Sequence, residues 1–316
     1  MILDAHAHLW LQQDTVVDGQ PIRTNRENGS RSEFFGQEVQ MLPPFMIDGR
    51  NTAEVFLSNM DYAQVGGAVI VQEIIDGLQN DYLAEVQRRY PERFFCYGMP
   101  ELRVSEIMRL GLGTPVEQTR QLLDQGFKGI SLAGHRSFAP GSERQLNDPD
   151  MMEVYKLLES RQAFLSICLY DGDYHVAQMR EVIQECPRLR VVIGHFGMVT
   201  QPGWMEQIRL AQAPNVYVES GGITWLFHSE FYPYPSAVRA IREAADAVGI
   251  EKLMWGSDYP RTITAITYRM SYDFLDRDKS GLLTDAEVQA FLGGNAQRLY
   301  GFGRLPDLPY VKNMSE

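Results

Sequence analysis

The sequence predicts an α/β fold, a single-domain (β/α)8 barrel spanning residues 1–316 with a long lid loop after the first strand. Three observations carry this. Short apolar runs alternate with helix-period segments eight times along the chain. The 316 residues match the length such barrels occupy. The first strand leads into no G-x-G-x-x-G loop, which the rival open, doubly wound sheet would want.

The first strand, 2–8, ends in His6 and His8. Residues two apart on a strand share a face, so the two imidazoles project side by side and form half a site for a divalent metal. Residues 9–50 have no sustained period. They carry Gly19, Pro21, Gly29, Pro43, Pro44 and the arginines Arg23, Arg26 and Arg31. An aperiodic stretch of this length in a compact domain is usually functional or disordered, and here it reads as a lid over the strand end. Arg23 from this lid is either a grip for an anionic substrate or a solvated charge. Thr52 then caps a helix whose apolar side is Val55, Phe56, Met60 and Tyr62. Strands at 68–72, 94–98, 129–132, 163–169, 190–195 and 215–219 alternate with helices at 81–90, 115–125, 151–161, 175–185, 204–211 and 236–248. The last strand is 252–260, the last helix 285–300, and 301–316 is a tail packed on the outside.

Barrel chemistry sits at the C-terminal ends of the strands. Those ends hold His6 and His8, Gln72 and Glu73, Met99 and Glu101, His135 and Arg136, Tyr170 and Asp171, His195, Ser220, then Asp258 and Arg261. Four of the chain's six histidines fall at strand ends, which a random scatter would not produce. The net charge of −12 opposes nucleic acid or an anionic membrane as partner, and does not exclude a small anionic substrate; a small-molecule substrate is the expected partner. Three unpatterned cysteines read as buried, reduced thiols. With no basic leader before the first strand and no long apolar run, the expected compartment is the cytoplasm.

Four motifs, in order and end to end, resemble the amidohydrolase superfamily. They are D-A-H-A-H at 4–8, G-H-F-G at 194–197, W-G-S-D-Y-P at 255–260 and G-G-N-A-Q-R-L-Y-G at 293–301. They are most similar to its amidohydrolase-related branch of hydrolases, lactonases and decarboxylases. The resemblance implies a barrel in which His6, His8 and Asp258 hold one Zn²⁺ or Mn²⁺ with help from a later histidine, and in which His195 polarises substrate or moves a proton. It also implies a homodimer or homotetramer. Two departures matter. The branch often has a metal-binding histidine at the end of strand five, where this chain has Cys168-Leu169-Tyr170; only His175, bending back, would replace it. Lys128 starts strand four, at the wrong end of the barrel to bridge two metals. One metal, or none, is therefore expected.

Asp258 is the expected general base toward water, with His195 and the H-x-H pair polarising a carbonyl. Arg136, Arg261 and Arg23 are candidate carboxylate binders, or ion pairs at the rim. His135 and Tyr170 are candidate donors to a hydroxylated substrate. Hydrolysis of a lactone is the leading reading, a metal-dependent decarboxylase the second, and a barrel that binds without catalysis the third. Separately, Asp276, Asp278, Ser280 and Glu287 stand at positions 1, 3, 5 and 12 of a calcium loop. Residues 284–287 equally form a capping box for the last helix, the preferred reading.

Overall fold

The computed structural model describes residues 1–17, 19–303 and 307–309. Its frame begins with β1 (Leu3–Ala7), followed by β2 (Asp14–Val17), β3 (Gln20–Thr24), β4 (Arg31–Phe34) and β5 (Gln37–Gln40). Then come β6 (Gly67–Ile70), β7 (Phe94–Cys96), β8 (Gly129–Leu132), β9 (Phe164–Ile167), β10 (Arg190–Ile193), β11 (Val216–Glu219) and β12 (Leu253–Met254). Two parallel arcs, β1-β6-β7 and β8-β9-β10-β11-β12, carry the barrel. At one seam Gly98 N donates to Gly129 O at 3.1 Å and Ser131 N to Gly98 O at 2.8 Å. At the other, Ala5 N donates to Trp255 O, Asp258 N to His6 O and His8 N to Tyr259 O, each at 2.8 Å. These bonds join the arcs into the eight-stranded ring that the alternation predicts.

Leu3, Ala5, Val69, Phe95, Tyr97, Phe164, Val192 and Met254 pack with Tyr300 and Phe302 in one apolar layer below the cavity. The closing G-G-N motif serves this frame. A Cβ on Gly293 would come 2.4 Å from Met1 O, so only glycine lets the last helical segment lie against β1. Asn295 Nδ2 donates to Leu253 O and Ile250 O at 2.7 Å, tying that segment to β12.

The lid differs from expectation. Residues 14–40 are not an irregular loop but an antiparallel sheet in the order β2-β3-β4-β5. Phe34 pairs with Gln37 across a two-residue turn in which Phe35 (φ 51°) and Gly36 (φ 78°) are both left-handed, as a type I′ hairpin requires. Its strands are short and bury at most one residue each, so no alternation marks them; β5, for instance, reads Gln-Glu-Val-Gln. Val17 and Ile22 of this sheet pack on Ile74, Ile75, Met99 and Ala133, beyond the ends of β6, β7 and β8.

Three further corrections are local. Tyr62 lies outside the apolar face of its helix, Ala53–Ala63, and is exposed. The last strand is regular only over Leu253–Met254, the rest of 252–260 being an irregular run bonded to β1. The last helix comprises Asp285–Gln289, a π-helical turn Ala290–Gly294 and Asn295–Tyr300. Of the expected tail, residues 304–306 and 310–316 lie outside the described residues; Pro309 O accepts from Gln64 Nε2 at 2.8 Å. Among the described residues no helix is long and apolar enough to cross a membrane.

Candidate active site

A cavity of about 140 Å³ opens at the C-terminal ends of the strands, lined by His6, His8, His135, Arg136, His195, Asp258 and Arg261 among others. His6 and His8 both enter it, as the two-residue repeat predicts. His195 (φ 54°) and Asp258 (φ 60°) reach it by a different device, since both have left-handed backbone. Each strand path breaks at that residue and throws the side chain inward, a strained arrangement typical of functional positions.

The ring nitrogens are individually aimed. His6 Nδ1 lies 2.8 Å from Glu219 Oε1, which also accepts from His195 N at 3.1 Å. His195 Nδ1 donates to Gly221 O at 2.8 Å. His8 Nδ1 faces Asp76 Oδ2 at 3.4 Å. With each Nδ1 turned to an acceptor, the Nε2 atoms point to the cavity. There, His6 Nε2 and His8 Nε2 are 3.1 Å apart, and Asp258 Oδ1 lies 3.0 Å from the second and 3.6 Å from the first. Three electron-pair donors this close repel unless a cation, proton or metal, sits among them. Donors about 2.0–2.1 Å from a tetrahedral Zn²⁺ stand about 3.3 Å apart. The observed edges bracket that value, so the residues fit a metal. Ligand atoms of His6, His195 and Asp258 also lie within 4.8 Å of one another, a looser set that leaves out His8, so His195 stands beside the three donors.

Burial by itself would raise the pKa of Asp258. The hydrogen bond from His8 and the charges of His195, His8 and His6 outweigh it and hold the carboxyl well below the usual range. Its Oδ2 accepts from Trp225 Nε1 at 2.9 Å. Burial also opposes the charge on His195, but its neighbours Cys168 and Asp258 raise its pKa to about 9. Glu73 is likewise held low against burial, by His135, Arg136, His8 and Arg261.

A family model described as amidohydrolase matches residues 3–302. The chain belongs to the amidohydrolase family. Among curated proteins it is similar to L-fucono-1,5-lactonase of Burkholderia multivorans, 29% identical over 129 residues, covering 40% of this chain. That match spans 36%, about a third, of the relative's length. Among solved structures it resembles a probable 2-pyrone-4,6-dicarboxylic acid hydrolase from Acinetobacter baumannii with citric acid bound (TM-score 0.66, 21% identity, 95% of this chain and 99% of that one). It also resembles an amidohydrolase from Burkholderia multivorans with bound zinc (TM-score 0.65, 16% identity, 97% and 100%). A 5-carboxyvanillate decarboxylase from Sphingomonas paucimobilis is more distant (TM-score 0.54, 17% identity, 82% and 86%).

Not every expected residue of this amidohydrolase reaches the cavity. Tyr170 does not line it; its ring packs on Tyr174 and His175. Arg23 points away on β3 and pairs with Asp14 at 3.1 Å in an exposed position. His175 does not bend back, because its Nδ1 accepts from Tyr170 N at 2.9 Å and its Nε2 lies 2.8 Å from Phe138 O. Arg136 and Arg261 do line the cavity, but each is paired with an acid, Glu73 at 3.2 Å and Asp76 at 2.9 Å. His135 lies 3.5 Å from the same Glu73. In the calcium-like loop, Glu287 Oε2 accepts from Thr284 N at 2.8 Å within a capping box, and its Oε1 pairs with Arg242 at 2.7 Å. The carboxylate at position 12 is thus committed to the helix end, and of the remaining loop residues Ser280 Oγ bonds Asp278 at 2.6 Å.

Sequence reasoning missed Glu219, Asp76, Trp225 and Cys168. Glu219 ends β11, one residue before the Ser220 that was read as the strand end. Cys168 was read as a buried thiol, yet it is partly exposed and lines the cavity, while Cys96 and Cys186 are buried. Asp76 and Trp225 sit on short turns that carry no periodic signal.

Proposed function

We propose that this amidohydrolase opens a lactone, with one Zn²⁺ or Mn²⁺ held by His6, His8 and Asp258. The observation that carries the reading is the convergence of His6 Nε2, His8 Nε2 and an ionised Asp258 within 3.0–3.6 Å in a buried cavity. A divalent ion in that position polarises a carbonyl and acidifies water, which suits a carboxylate of low basicity. Asp258 takes the proton of the attacking water as the new C–O bond forms. Trp225 holds its other oxygen, so the accepting atom is oriented. His195, with Nδ1 fixed on Gly221 O, presents a protonated Nε2 to the ring oxygen, gives that proton to the leaving alkoxide as the ring C–O bond breaks, and is reprotonated from Asp258.

Both arginines lining the cavity are already paired with acids, and this favours a neutral, hydroxylated lactone over a diacid. His135 and Arg136, which line the cavity beside Glu73, would meet its hydroxyls. The partial match to an L-fucono-1,5-lactonase supports the same substrate class. The second reading, a decarboxylase, uses the same donors, and the resemblance to a decarboxylase fold favours keeping it in the test. The experiment offers Zn²⁺- or Mn²⁺-loaded full chain a panel of five- and six-membered aldonolactones and aromatic carboxylates. Hydrolysis releases one proton per turnover and no CO₂; decarboxylation releases CO₂ instead. Turnover that survives Asp258→Asn in full would sink both readings.

A further inference from the structure

The geometry points to Asp76 as the positioning residue of His8, and to Gln13 as the arm by which the lid sheet holds it. The inference rests on the reading that His8 is a donor in the site. Asp76 is buried at the end of the 3₁₀ turn Ile74–Asp76, just beyond β6. Its Oδ1 accepts from Gln13 Nε2 at 2.7 Å and from Arg261 Nη2 at 2.9 Å. Its Oδ2 has no hydrogen bond, and neither has His8 Nδ1. These two buried atoms face each other at 3.4 Å. Each is costly to leave unmatched, and each is the natural complement of the other.

Closing that small gap directs the proton of His8 to Nδ1 and the lone pair of Nε2 to His6 and Asp258. The lid takes part through Gln13, which precedes β2. Gln13 Oε1 accepts from Ser32 Oγ of β4 at 2.9 Å, while its Nε2 donates to Asp76. Ser32, Gln13 and Asp76 are all buried. A polar chain therefore runs from the sheet to His8, interrupted only by the 3.4 Å gap between Asp76 and the ring. Seating of the lid and orientation of His8 are coupled, so a metal that prefers the oriented imidazole also stabilises the seated lid.

The test measures Zn²⁺ affinity of the full chain by chelator competition without substrate, together with amide exchange in the lid. Asp76→Asn keeps the volume and removes the charge, and is expected to weaken Zn²⁺ binding about tenfold. Gln13→Leu leaves Asp76 and Arg261 in place; acting one residue further out, it is expected to cost about threefold. Zn²⁺ should slow amide exchange across β3 and β4 in the parent and lose that effect in Gln13→Leu, a reciprocity that simple support of the fold would not produce. If Asp76→Asn does not fold, the Gln13→Leu measurements decide alone. Affinity unchanged in the folded variants, or lid exchange indifferent to Zn²⁺ in the parent, overturns the inference. His8→Ala locates the failure. If it too binds Zn²⁺ like the parent, the site reading falls with the inference; if it loses Zn²⁺ while the other variants do not, the inference alone falls.

Discussion

His6 and His8 are neighbours on one strand, but their surroundings are built differently. His6 is locked by the barrel. Its Nδ1 is 2.8 Å from Glu219 at the end of β11, whose second oxygen accepts from Gly221 N at 2.5 Å. Its backbone N–H donates to Asp4 Oδ1 at 3.0 Å, and the same oxygen takes Ser257 N at 2.8 Å. Glycines wall the ring, since a Cβ at Gly256 would come 2.7 Å from His6 Cβ and one at Gly221 2.8 Å from His6 Cγ. His8 meets its carboxylate, Asp76, at a looser 3.4 Å, and that carboxylate sits on a turn held by the lid. One ring is set by packed strands, the other by a turn beyond β6 and the sheet that packs on it.

The largest effect should come from the residue both histidines share. Asp258→Asn is expected to lower kcat by about 10²–10⁴, the contribution of a general base, with the fold retained by circular dichroism. Next, Glu219→Gln should weaken Zn²⁺ binding by up to about a hundredfold, against the tenfold expected for Asp76→Asn. Equal losses in chelator titrations would mean that the two sides are not different after all. Gly256→Ala forces His6 back from its wall and should cost about tenfold in kcat; a neutral outcome would show that His6 has as much slack as His8.

The smallest effects lie far from both. Thr284→Ala removes a capping box and should destabilise the fold by about 1 kcal/mol in urea titrations. The N–H of Thr284 and the guanidinium of Arg242 bring the pKa of Glu287 down to about 2, from an ordinary 4.5. A depressed carboxyl stabilises the fold above its unfolded pKa and loses that contribution as pH falls through the folded one. The difference between Glu287→Gln and the parent should therefore be full above about pH 4.5 and fade toward pH 2. A difference that persists at the lowest pH would assign it to packing.

Legibility followed the range of the signal. Alternation of strand and helix, the shared face of His6 and His8, and the placement of His195 and Asp258 at strand ends are written in local patterns, and the fold and the gathering of these four residues at one cavity were readable from them. The lid sheet was not. Its strands bury at most one residue each and so no continuous stripe, though the Phe35-Gly36 turn was a usable clue. Tyr170 and Arg23 were misplaced because a position near a strand end or in a lid does not say which way a side chain turns.

What the sequence determined by itself is the barrel and which side chains stand at its strand ends, since burying apolar strand and helix faces leaves little other choice. The tertiary structure alone decided their partners. Glu219 lies 213 residues from His6 and Asp258 250 residues from His8, and no periodicity spans such a distance. Which carboxylate meets which imidazole, and whether an arginine stays free or is matched by a buried acid, is settled only when ring closure brings the strand ends together, because buried charges must then find partners within a few ångströms.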